Sequence, residues 1–262
     1  MADESHDVSY HRLLAACRQR ETHDTALRAA LDDLAAKVDF GEVRSCLAFG
    51  TGSGEREMEL ARRLLPNLRS FTAVEPDTDS VRALRANLDD PDRRLLPAGV
   101  VETSVVHSSI ENWIGGAAGS RHRFDVVLLL GVLFHVDAAD RKALFGELAT
   151  RRLRPGALVV IFDYVVSPAS GWVALLERFG ALRDDCDAME AEMVAAGFRV
   201  VCTRDVELRY DYADPSDGLV KFARMMIGHD RCSESQVRAA IDDIWSRPNM
   251  DVQMAKLAAF AK

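Results

Sequence analysis

The segment Cys46-Leu-Ala-Phe-Gly-Thr-Gly-Ser-Gly54 carries the strongest fold signal in this sequence. Its apolar residues predict a strand that runs into a glycine-rich loop, and residues 55–65 have the pattern of a helix. About twenty residues after the loop, a second apolar strand ends in an acidic residue, as in βαβ units that bind nucleosides. In such units the glycines let the backbone approach the ligand and the carboxylate binds its ribose hydroxyls. We therefore expect a nucleoside cofactor to be bound by Gly50, Gly52, Gly54 and Glu75.

The first helical turn after this loop distinguishes between two classes of cofactor. Dinucleotide-binding loops follow a G-x-G-x-x-G pattern and place a pyrophosphate at the helix N-terminus. Here the glycines run G-x-G-x-G, and Glu55 and Glu57 occupy the first turn. Two carboxylates would repel a pyrophosphate, but they suit the helix dipole and tolerate a cationic ligand. This favours S-adenosylmethionine (SAM), which has a sulfonium and no phosphate, over NAD or FAD, with a purely structural turn as a further alternative.

The remaining pattern predicts an α/β fold with a Rossmann-like, doubly wound and mainly parallel sheet. Strands are expected at 43–49, 70–75, 100–107, 124–130 and 157–163, with helices between them, one of which covers 140–152. We expect one domain over 1–262, with a helical substrate lid at 1–42, a cofactor-binding core at 43–163, and substrate-side helices and remaining sheet at 164–262. In that last part 198–210 reads as a strand, and 253–260 reads as a helix.

Composition and charge limit the partners that this chain is expected to have. Its 262 residues carry a net charge of −8 without a block of Lys or Arg, which argues against binding to nucleic acid. No apolar run is long enough for a membrane span, and the polar N-terminus is unlike a signal peptide. The five cysteines are widely spaced without a C-x-x-C pair, so neither a disulfide framework nor a metal site is indicated. We expect a cytoplasmic protein with a small-molecule substrate, and favour a monomer.

Two further segments resemble the second half of the class I SAM-dependent methyltransferase core. They are Phe124-Asp-Val-Val-Leu-Leu-Leu-Gly131 with the following His135-Val-Asp137, and Leu153-Arg-Pro-Gly-Ala-Leu-Val-Val-Ile161. The resemblance covers roughly residues 43–163 and implies that fold, with SAM as cofactor and S-adenosylhomocysteine (SAH) as product. It also implies that the adenine is flanked by Ser109, Ile110 and Glu111. Leu130 and Gly131, at the carboxyl end of the fourth strand, are expected to line the crevice that binds the cofactor, with Gly131 leaving space near the methyl group.

Within that superfamily the chain resembles the histamine N-methyltransferase family. The shared features are Gly52-Ser-Gly-Glu55, Val74-Glu-Pro76, Val166-Ser-Pro-Ala-Ser-Gly-Trp172 and Asp217-Gly-Leu-Val-Lys-Phe222, together with Arg20-Glu-Thr-His23. The family's amine-facing glutamate falls on Thr22 or Glu21, and its glutamine after the fourth strand falls on Gly131. Its last substrate asparagine lies on a C-terminal strand that this sequence does not predict. These departures argue against histamine as the substrate.

The acceptor pocket is expected to contain aromatic side chains and a base. Phe134, Tyr164 and Trp172, together with Thr22, are the candidate substrate contacts, and His135 or Glu21 is the candidate base. We therefore expect methyl transfer to a small molecule, most favourably to a nitrogen of an amine or imidazole compound other than histamine. An O-methyltransferase, a protein methyltransferase or a SAM-binding protein without turnover would share the same core and stay open as alternatives.

Overall fold

The computed structural model describes residues 12–14, 17, 22–90, 92–93, 95–116, 122–167, 170–182, 186–210, 212, 215–247 and 250–262. The described residues group into two compact units. The larger unit comprises the described parts of Asp24–Val166, Arg183–Glu207 and Met254–Lys262. The smaller unit comprises the described parts of Met1–His23, Ser167–Leu182 and Leu208–Gln253.

The larger unit is built on a sheet with seven strands in the described chain. In chain order the strands are β1 (Ser45–Phe49), β2 (Ser70–Glu75), β3 (Glu102–His107), β4 (Phe124–Leu130), β5 (Leu153–Tyr164), β6 (Arg199–Arg209) and β7 (Val252–Ala261). Their order across the sheet is β3-β2-β1-β4-β5-β7-β6. Pairing is parallel from β3 to β5 and antiparallel between β5 and β7. The predicted α/β fold with a mainly parallel, doubly wound sheet is confirmed.

Helices follow the strands in the alternation that a parallel sheet requires. In chain order they are α1 (His23–Ala35), α2 (Glu55–Leu64), α3 (Thr78–Asp89), α4 (Ile110–Gly116), α5 (Ala138–Glu147), α6 (Gly171–Arg178), α7 (Cys186–Ala195), α8 (Asp217–Ile227) and α9 (Glu234–Trp245). A short 3₁₀ turn, Leu133–His135, follows β4, and we call it the β4 turn. No helix in the described part of the chain is long and apolar enough to cross a membrane.

The central strands owe their position to their composition. All residues of β1 are buried, and in β4 only Asp125 is partly exposed. Runs of this kind, apolar on both faces, belong in the middle of a parallel sheet that helices cover on both sides. Because the strand order reverses between β1 and β4, the loops after these two strands diverge and leave a crevice at their carboxyl ends.

The C-terminal segment differs from its prediction. Residues 253–260 form most of β7 and not a helix, and β7 pairs with β5 from Leu158↔Ala261 to Tyr164↔Ala255. The Ala- and Leu-rich sequence has high helix propensity, but insertion beside β5 buries Leu257 and Phe260. Tertiary packing therefore overrides the local preference. The last strand of the fold is thus present, although Val252–Ala261 contains no asparagine.

The segment between α5 and β5 also differs from its prediction. The α-helix ends at Glu147, and residues Leu148–Arg152 form a π-helical turn where continuous α-helix was expected. β5 then begins at Leu153, before the Pro155-Gly156 pair, and its register against β4 shifts between Phe124 and Val126. The shift accommodates a proline, whose ring nitrogen cannot donate a ladder hydrogen bond, within the strand.

The smaller unit contains an aromatic cluster. Trp172 at the start of α6 stacks on Phe222 of α8, with ring centroids 5.9 Å apart. Tyr212 lies 5.2 Å from Trp245 of α9, and Gly171 lies so close to this indole that any side chain there would overlap it. These contacts pack α6, α8 and α9 into one core.

Candidate functional site

The glycine loop after β1 packs closely against its surroundings at both ends. Gly50 and Gly54 have positive φ angles of 60° and 77°. A Cβ atom at Gly50 would overlap the side chain of Val132, and one at Gly54 would overlap Leu84. At Gly52, in contrast, a Cβ would meet no atom within 4 Å. The middle of the loop therefore exposes backbone to open space, as a loop that accepts a ligand must.

Glu75 links the end of β2 to this loop. Its Oε2 accepts a hydrogen bond of 2.8 Å from the backbone N–H of Gly52, and its Oε1 accepts one of 2.9 Å from Asp77 N–H. The side chain is 4% exposed, and this burial raises the pKa of Glu75 above its usual value, opposed by the two N–H donors. Each carboxylate oxygen has a second acceptor position, so the group can bind further donors.

The loop after β3 lies beside Glu75. Ser108 N–H donates a hydrogen bond of 3.1 Å to the backbone oxygen of Glu75. Ser109 Oγ accepts from Asn112 N–H at 3.2 Å, which stabilises the start of α4. Ile110 is buried in the main core and Glu111 is exposed. The three predicted residues thus directly follow Ser108, which contacts Glu75, and their contacts with adenine stay a prediction.

Five of the predicted site residues lie at the carboxyl end of β4, in the turn that follows it, or at the end of β5. Leu130 is buried, and Gly131 turns the chain with a φ of 70°, with no atom within 4 Å of the position that a Cβ would take there. The Phe134 ring then lies 3.9 Å from the His135 ring and 5.4 Å from the Tyr164 ring of β5. Phe134 and Tyr164 are partly exposed and His135 is exposed.

A buried carboxylate that is not among the predicted site residues anchors this group. Asp163, the next to last residue of β5, accepts a hydrogen bond of 3.1 Å from Leu133 N–H and one of 2.9 Å from Tyr164 N–H. Its complete burial raises the pKa of Asp163 to about 7, although the N–H donors and the Arg141 guanidinium act in the opposite direction. An acidic residue that ends an otherwise apolar strand was the signal for such a role.

The remaining predicted site residues belong to the smaller unit or lie outside the described residues. Thr22 and Arg209 form a reciprocal pair, in which Thr22 N–H donates to Arg209 O at 3.0 Å and Arg209 N–H donates to Thr22 Oγ1 at 2.9 Å. Trp172 is part of the aromatic cluster. Glu21 lies outside the described residues. The substrate roles of all three stay predictions.

The titratable side chains do not assemble into a metal centre in the described ranges. No group of three or more His, Cys, Asp or Glu residues there has a geometry that could hold a metal ion. Asp125, at the start of β4, anchors β1 by accepting from Arg44 N–H and Ser45 N–H, each at 2.9 Å.

Comparison with solved structures identifies the architecture. N-methyltransferase NodS from Bradyrhizobium japonicum, in complex with SAH, matches with a TM-score of 0.54 and 13% identity, over 90% of this chain and 86% of NodS. Magnesium protoporphyrin IX methyltransferase from Synechocystis, with bound SAH, matches with a TM-score of 0.55 and 11% identity, over 95% and 85%. The fold is that of the class I methyltransferases. The cyclopropane synthase MmaA2 from Mycobacterium tuberculosis shares it, with a TM-score of 0.57 and 11% identity over 89% and 83%.

Sequence-level comparisons assign no family. No protein-family model matches the chain, and no curated protein matches it. The resemblance to the histamine N-methyltransferase family therefore stays an interpretation of short motifs. At these identities the structural likeness defines the class I fold, and the activity has to be argued from the site itself.

Proposed function

We propose that this protein is a SAM-dependent methyltransferase that acts on a small-molecule acceptor, most favourably on a nitrogen of an amine or imidazole compound other than histamine. The observation that carries the proposal is the Gly52–Glu75 pair at the switch point of the sheet. It joins an open stretch of loop backbone to a buried carboxylate, as binding of a nucleoside requires.

The chemistry of this end of the sheet supports SAM over a dinucleotide. Helix α2 begins after Gly54, and its first turn holds Glu55, which pairs with Arg93, and Glu57, which is buried. A pyrophosphate at that helix N-terminus would face two carboxylates, whereas SAM brings no phosphate and carries a positive sulfonium. The proposed ligands of the ribose are the Glu75 oxygens, with adenine beside Ser109, Ile110 and Glu111. NodS and the protoporphyrin methyltransferase have the same fold and contain SAH.

The β4 turn supports a small acceptor with a basic nitrogen. Phe134 and Tyr164 present partly exposed aromatic rings beside the exposed His135 imidazole. Aromatic faces bind flat or cationic groups, and an imidazole accepts protons near neutral pH. NodS is an N-methyltransferase, but the fold also serves a porphyrin acceptor, so the choice of nitrogen rests on this local chemistry.

The mechanism that we propose relies on positioning. Bound SAM supplies an electrophilic methyl group to the acceptor. The glycine loop and Glu75 hold the nucleoside, Gly131 leaves room at the end of β4, and Phe134 with Tyr164 orients the acceptor. Alignment of this kind can lower a barrier by roughly 7–11 kcal/mol. An amine must be neutral to attack, so His135 would accept the proton that the amine loses.

Two experiments test this function. Calorimetric titration with SAM, SAH and NADH, the last as the dinucleotide alternative, measures which cofactor the protein binds. A radiolabelled-methyl screen over amines and imidazoles, phenols and peptides then identifies the acceptor class. We expect binding of SAM and SAH but not NADH, and transfer to an amine or imidazole.

Each other outcome has a defined meaning. Transfer to phenols would show that the acceptor atom is oxygen and not nitrogen. Transfer to peptides would show that the substrate is a protein and not a small molecule. Binding of SAH without transfer to any member of the screen would favour a SAM-binding protein without turnover. Failure to bind either SAM or SAH would refute the proposal as a whole.

The His135→Gln variant tests the base separately from binding. If His135 accepts the amine proton, the rate of methyl transfer falls by about 100-fold while SAH affinity stays within about twofold of wild type. Lys142→Gln, on the neighbouring α5, is the matched control and should change neither quantity. An unchanged transfer rate in His135→Gln would remove the base assignment without affecting the cofactor assignment.

A further inference from the structure

The β4 turn is held at its start by a carboxylate from the neighbouring strand. Asp163 Oδ2 accepts from Leu133 N–H at 3.1 Å, and Phe134 N–H also contributes a hydrogen bond to this carboxylate. Asp163 Oδ1 accepts from Tyr164 N–H at 2.9 Å. Because only 1% of the surface of Asp163 is exposed, water contributes few hydrogen bonds to it. These N–H groups are therefore its main stabilising partners.

The end of the same turn is held by a buried arginine. Arg141 of α5 donates from Nη1 to the backbone oxygen of Val136 at 2.7 Å. Its Nε and Nη2 donate to the two carboxylate oxygens of Glu192 in α7, at 2.8 and 2.7 Å. A bidentate pair of this kind fixes the guanidinium in direction as well as in position. The turn is therefore attached to β5 at one end and to α5 and α7 at the other.

The β4 turn also positions parts of both proposed binding regions. Val132, directly before it, packs against Gly50 so closely that Gly50 has no space for a side chain. Within the turn, Phe134 contacts Tyr164 through their rings. A displacement of the turn would consequently disturb the glycine loop and the aromatic pair together.

We propose that Asp163 is a positioning residue of this enzyme, whose carboxylate fixes the β4 turn and through it Val132 against Gly50 and Phe134 against Tyr164. This inference rests on the proposed function for its role in methyl transfer, because the residues that the turn positions are the proposed cofactor and acceptor contacts. The attachment of the turn itself is independent of that function and can be measured without any ligand.

The charges around Asp163 make its effect dependent on pH. Arg141 on α5 and Cys186 on α7 interact electrostatically with it, and Lys256 occupies the position opposite Asp163 on β7. Lys256 pairs with Asp187 and Glu190, and Arg141 pairs with Glu192. His135 is the titratable side chain on the turn itself. Because burial raises the pKa of Asp163 to about 7, the group changes from a carboxyl to a carboxylate across neutral pH. Burial disfavours the carboxylate by more than its N–H donors stabilise it, so ionisation of Asp163 weakens the attachment of the turn.

Amide hydrogen exchange of the ligand-free protein tests the inference directly. The experiment measures the protection factors of Leu133, Phe134 and Tyr164 from about pH 5.5 to about pH 8.5. Each factor is corrected for the intrinsic effect of pH on amide exchange. Because the folded protein raises the pKa of Asp163, ionisation favours any opening that exposes this side chain to water, so we expect protection in wild type to fall about tenfold between about pH 5.5 and about pH 7 and then to level off, with the largest change at Leu133. In Asp163→Asn, one acceptor becomes a donor, so protection should be low and independent of pH.

Asp125→Asn is the matched control, because Asp125 is also a carboxylate of the sheet that accepts two backbone N–H groups. This variant should lose protection at Arg44 and Ser45 and keep the wild-type pH profile of the β4 turn. If Asp163→Asn does not fold, the wild-type profile alone decides. A flat wild-type profile, or an Asp163→Asn profile equal to that of wild type, would overturn the inference.

Titration of the same proteins with SAH separates this inference from the proposed function. We expect Asp163→Asn to bind SAH several-fold more weakly than wild type, and Asp125→Asn to bind it equally well. An intact exchange profile without SAH binding in wild type would refute the proposed function but not the attachment of the turn. Equal SAH affinity in wild type and Asp163→Asn would refute the positioning role.

Discussion

The backbone N–H of Gly52 donates a hydrogen bond of 2.8 Å to Oε2 of Glu75, across 23 positions of sequence. The middle of the glycine loop and the end of β2 are therefore one structural unit. Any ligand that the loop accepts lies within reach of a carboxylate whose oxygens have acceptor positions left.

The Glu75→Gln variant should lose much of its affinity for SAH. The amide keeps one acceptor oxygen but loses the charge that strengthens hydrogen bonds to hydroxyls, which are worth about 1.5–3 kcal/mol with an ionised partner. We expect roughly 10- to 100-fold weaker binding by calorimetry. Since burial raises the pKa of Glu75, wild-type affinity should also fall as the pH is lowered and the carboxylate is protonated.

The control for this variant is Glu102→Gln. Glu102 is an exposed carboxylate at the start of β3, at the opposite end of the sheet from Glu75. Its replacement should leave SAH affinity unchanged. Equal affinity in Glu75→Gln and wild type would show that the carboxylate does not bind the cofactor.

Alanine substitutions in the glycine loop should separate packing from backbone conformation. Gly50→Ala places a methyl group on Val132 and also has an unfavourable φ of 60°, so it should destabilise the protein by more than about 3 kcal/mol. Gly52→Ala has a similar φ of 56° but open space, so we expect only about 1–2 kcal/mol from urea unfolding.

The double variant Gly50→Ala with Val132→Ala tests the cause. Shortening Val132 removes the overlap but not the backbone strain, so it should recover part of the stability that Gly50→Ala loses. If Gly50→Ala and Gly52→Ala were equally stable, the contact with Val132 would not be the reason why residue 50 is glycine.

Removal of the Arg141 guanidinium should be costly. Arg141→Met leaves Glu192 and the Val136 carbonyl without their donor, and the guanidinium is buried while Glu192 is partly exposed. Breaking a buried pair in this way costs about 3–5 kcal/mol, and partial exposure of Glu192 reduces this to about 2–4 kcal/mol. Denaturant unfolding measures the difference.

Arg82→Met provides the comparison for an exposed ion pair. Arg82 pairs with Asp79 at 2.8 Å on the surface of α3, with three quarters of its side chain exposed. We expect a loss below about 1 kcal/mol. A similar loss in both variants would mean that the buried pair contributes no more than a surface pair.

The stability of the protein should depend on pH through Asp163. Its pKa is raised from 3.8 to about 7 in the folded protein, so the folded state binds the proton more tightly than the unfolded state. This contribution to stability is complete below about pH 4 and is lost as the pH rises to about 7. Relative to wild type, Asp163→Asn should therefore gain unfolding free energy between about pH 5 and about pH 7, by up to about 1.4 kcal/mol per pH unit.

Urea unfolding of both proteins at a series of pH values measures this difference. The variant's relative stability should reach a plateau above about pH 7, where Asp163 is ionised in wild type. A constant difference across the series would show that Asp163 has the same pKa in the folded and unfolded states.

Local patterns predicted much of the core and the cofactor half of the site. The strand at 124–130 was predicted at the bounds that β4 has, because a run of Val and Leu that is apolar on both faces has one stable location in a soluble α/β protein. Asp77 caps the helix after β2, since its side chain accepts from Ser80 N–H at 2.8 Å. A short side-chain oxygen just before a helix acts within one turn, so sequence suffices to predict it.

Contacts between segments that are distant along the chain determine the features that local patterns did not predict. The composition of 253–260 favours a helix, and only the open edge of β5 makes the segment a strand. Likewise the sequence shows that Asp163 is an acidic residue in an apolar strand, but its contact with Leu133 N–H spans 30 positions. Sequence periodicity reports on neighbours along the chain, and it contains no information about which backbone groups a buried carboxylate meets.

The doubly wound α/β architecture and the position of the glycine loop and Glu75 could be predicted from the sequence, because both follow from hydrophobic periods and turn residues that act locally. The tertiary structure alone decided that β7 completes the sheet and that Asp163 and Arg141 hold the β4 turn from two sides. Burial couples segments that are distant along the chain. A carboxylate or guanidinium removed from water is stabilised by the donors and acceptors that the fold brings to it.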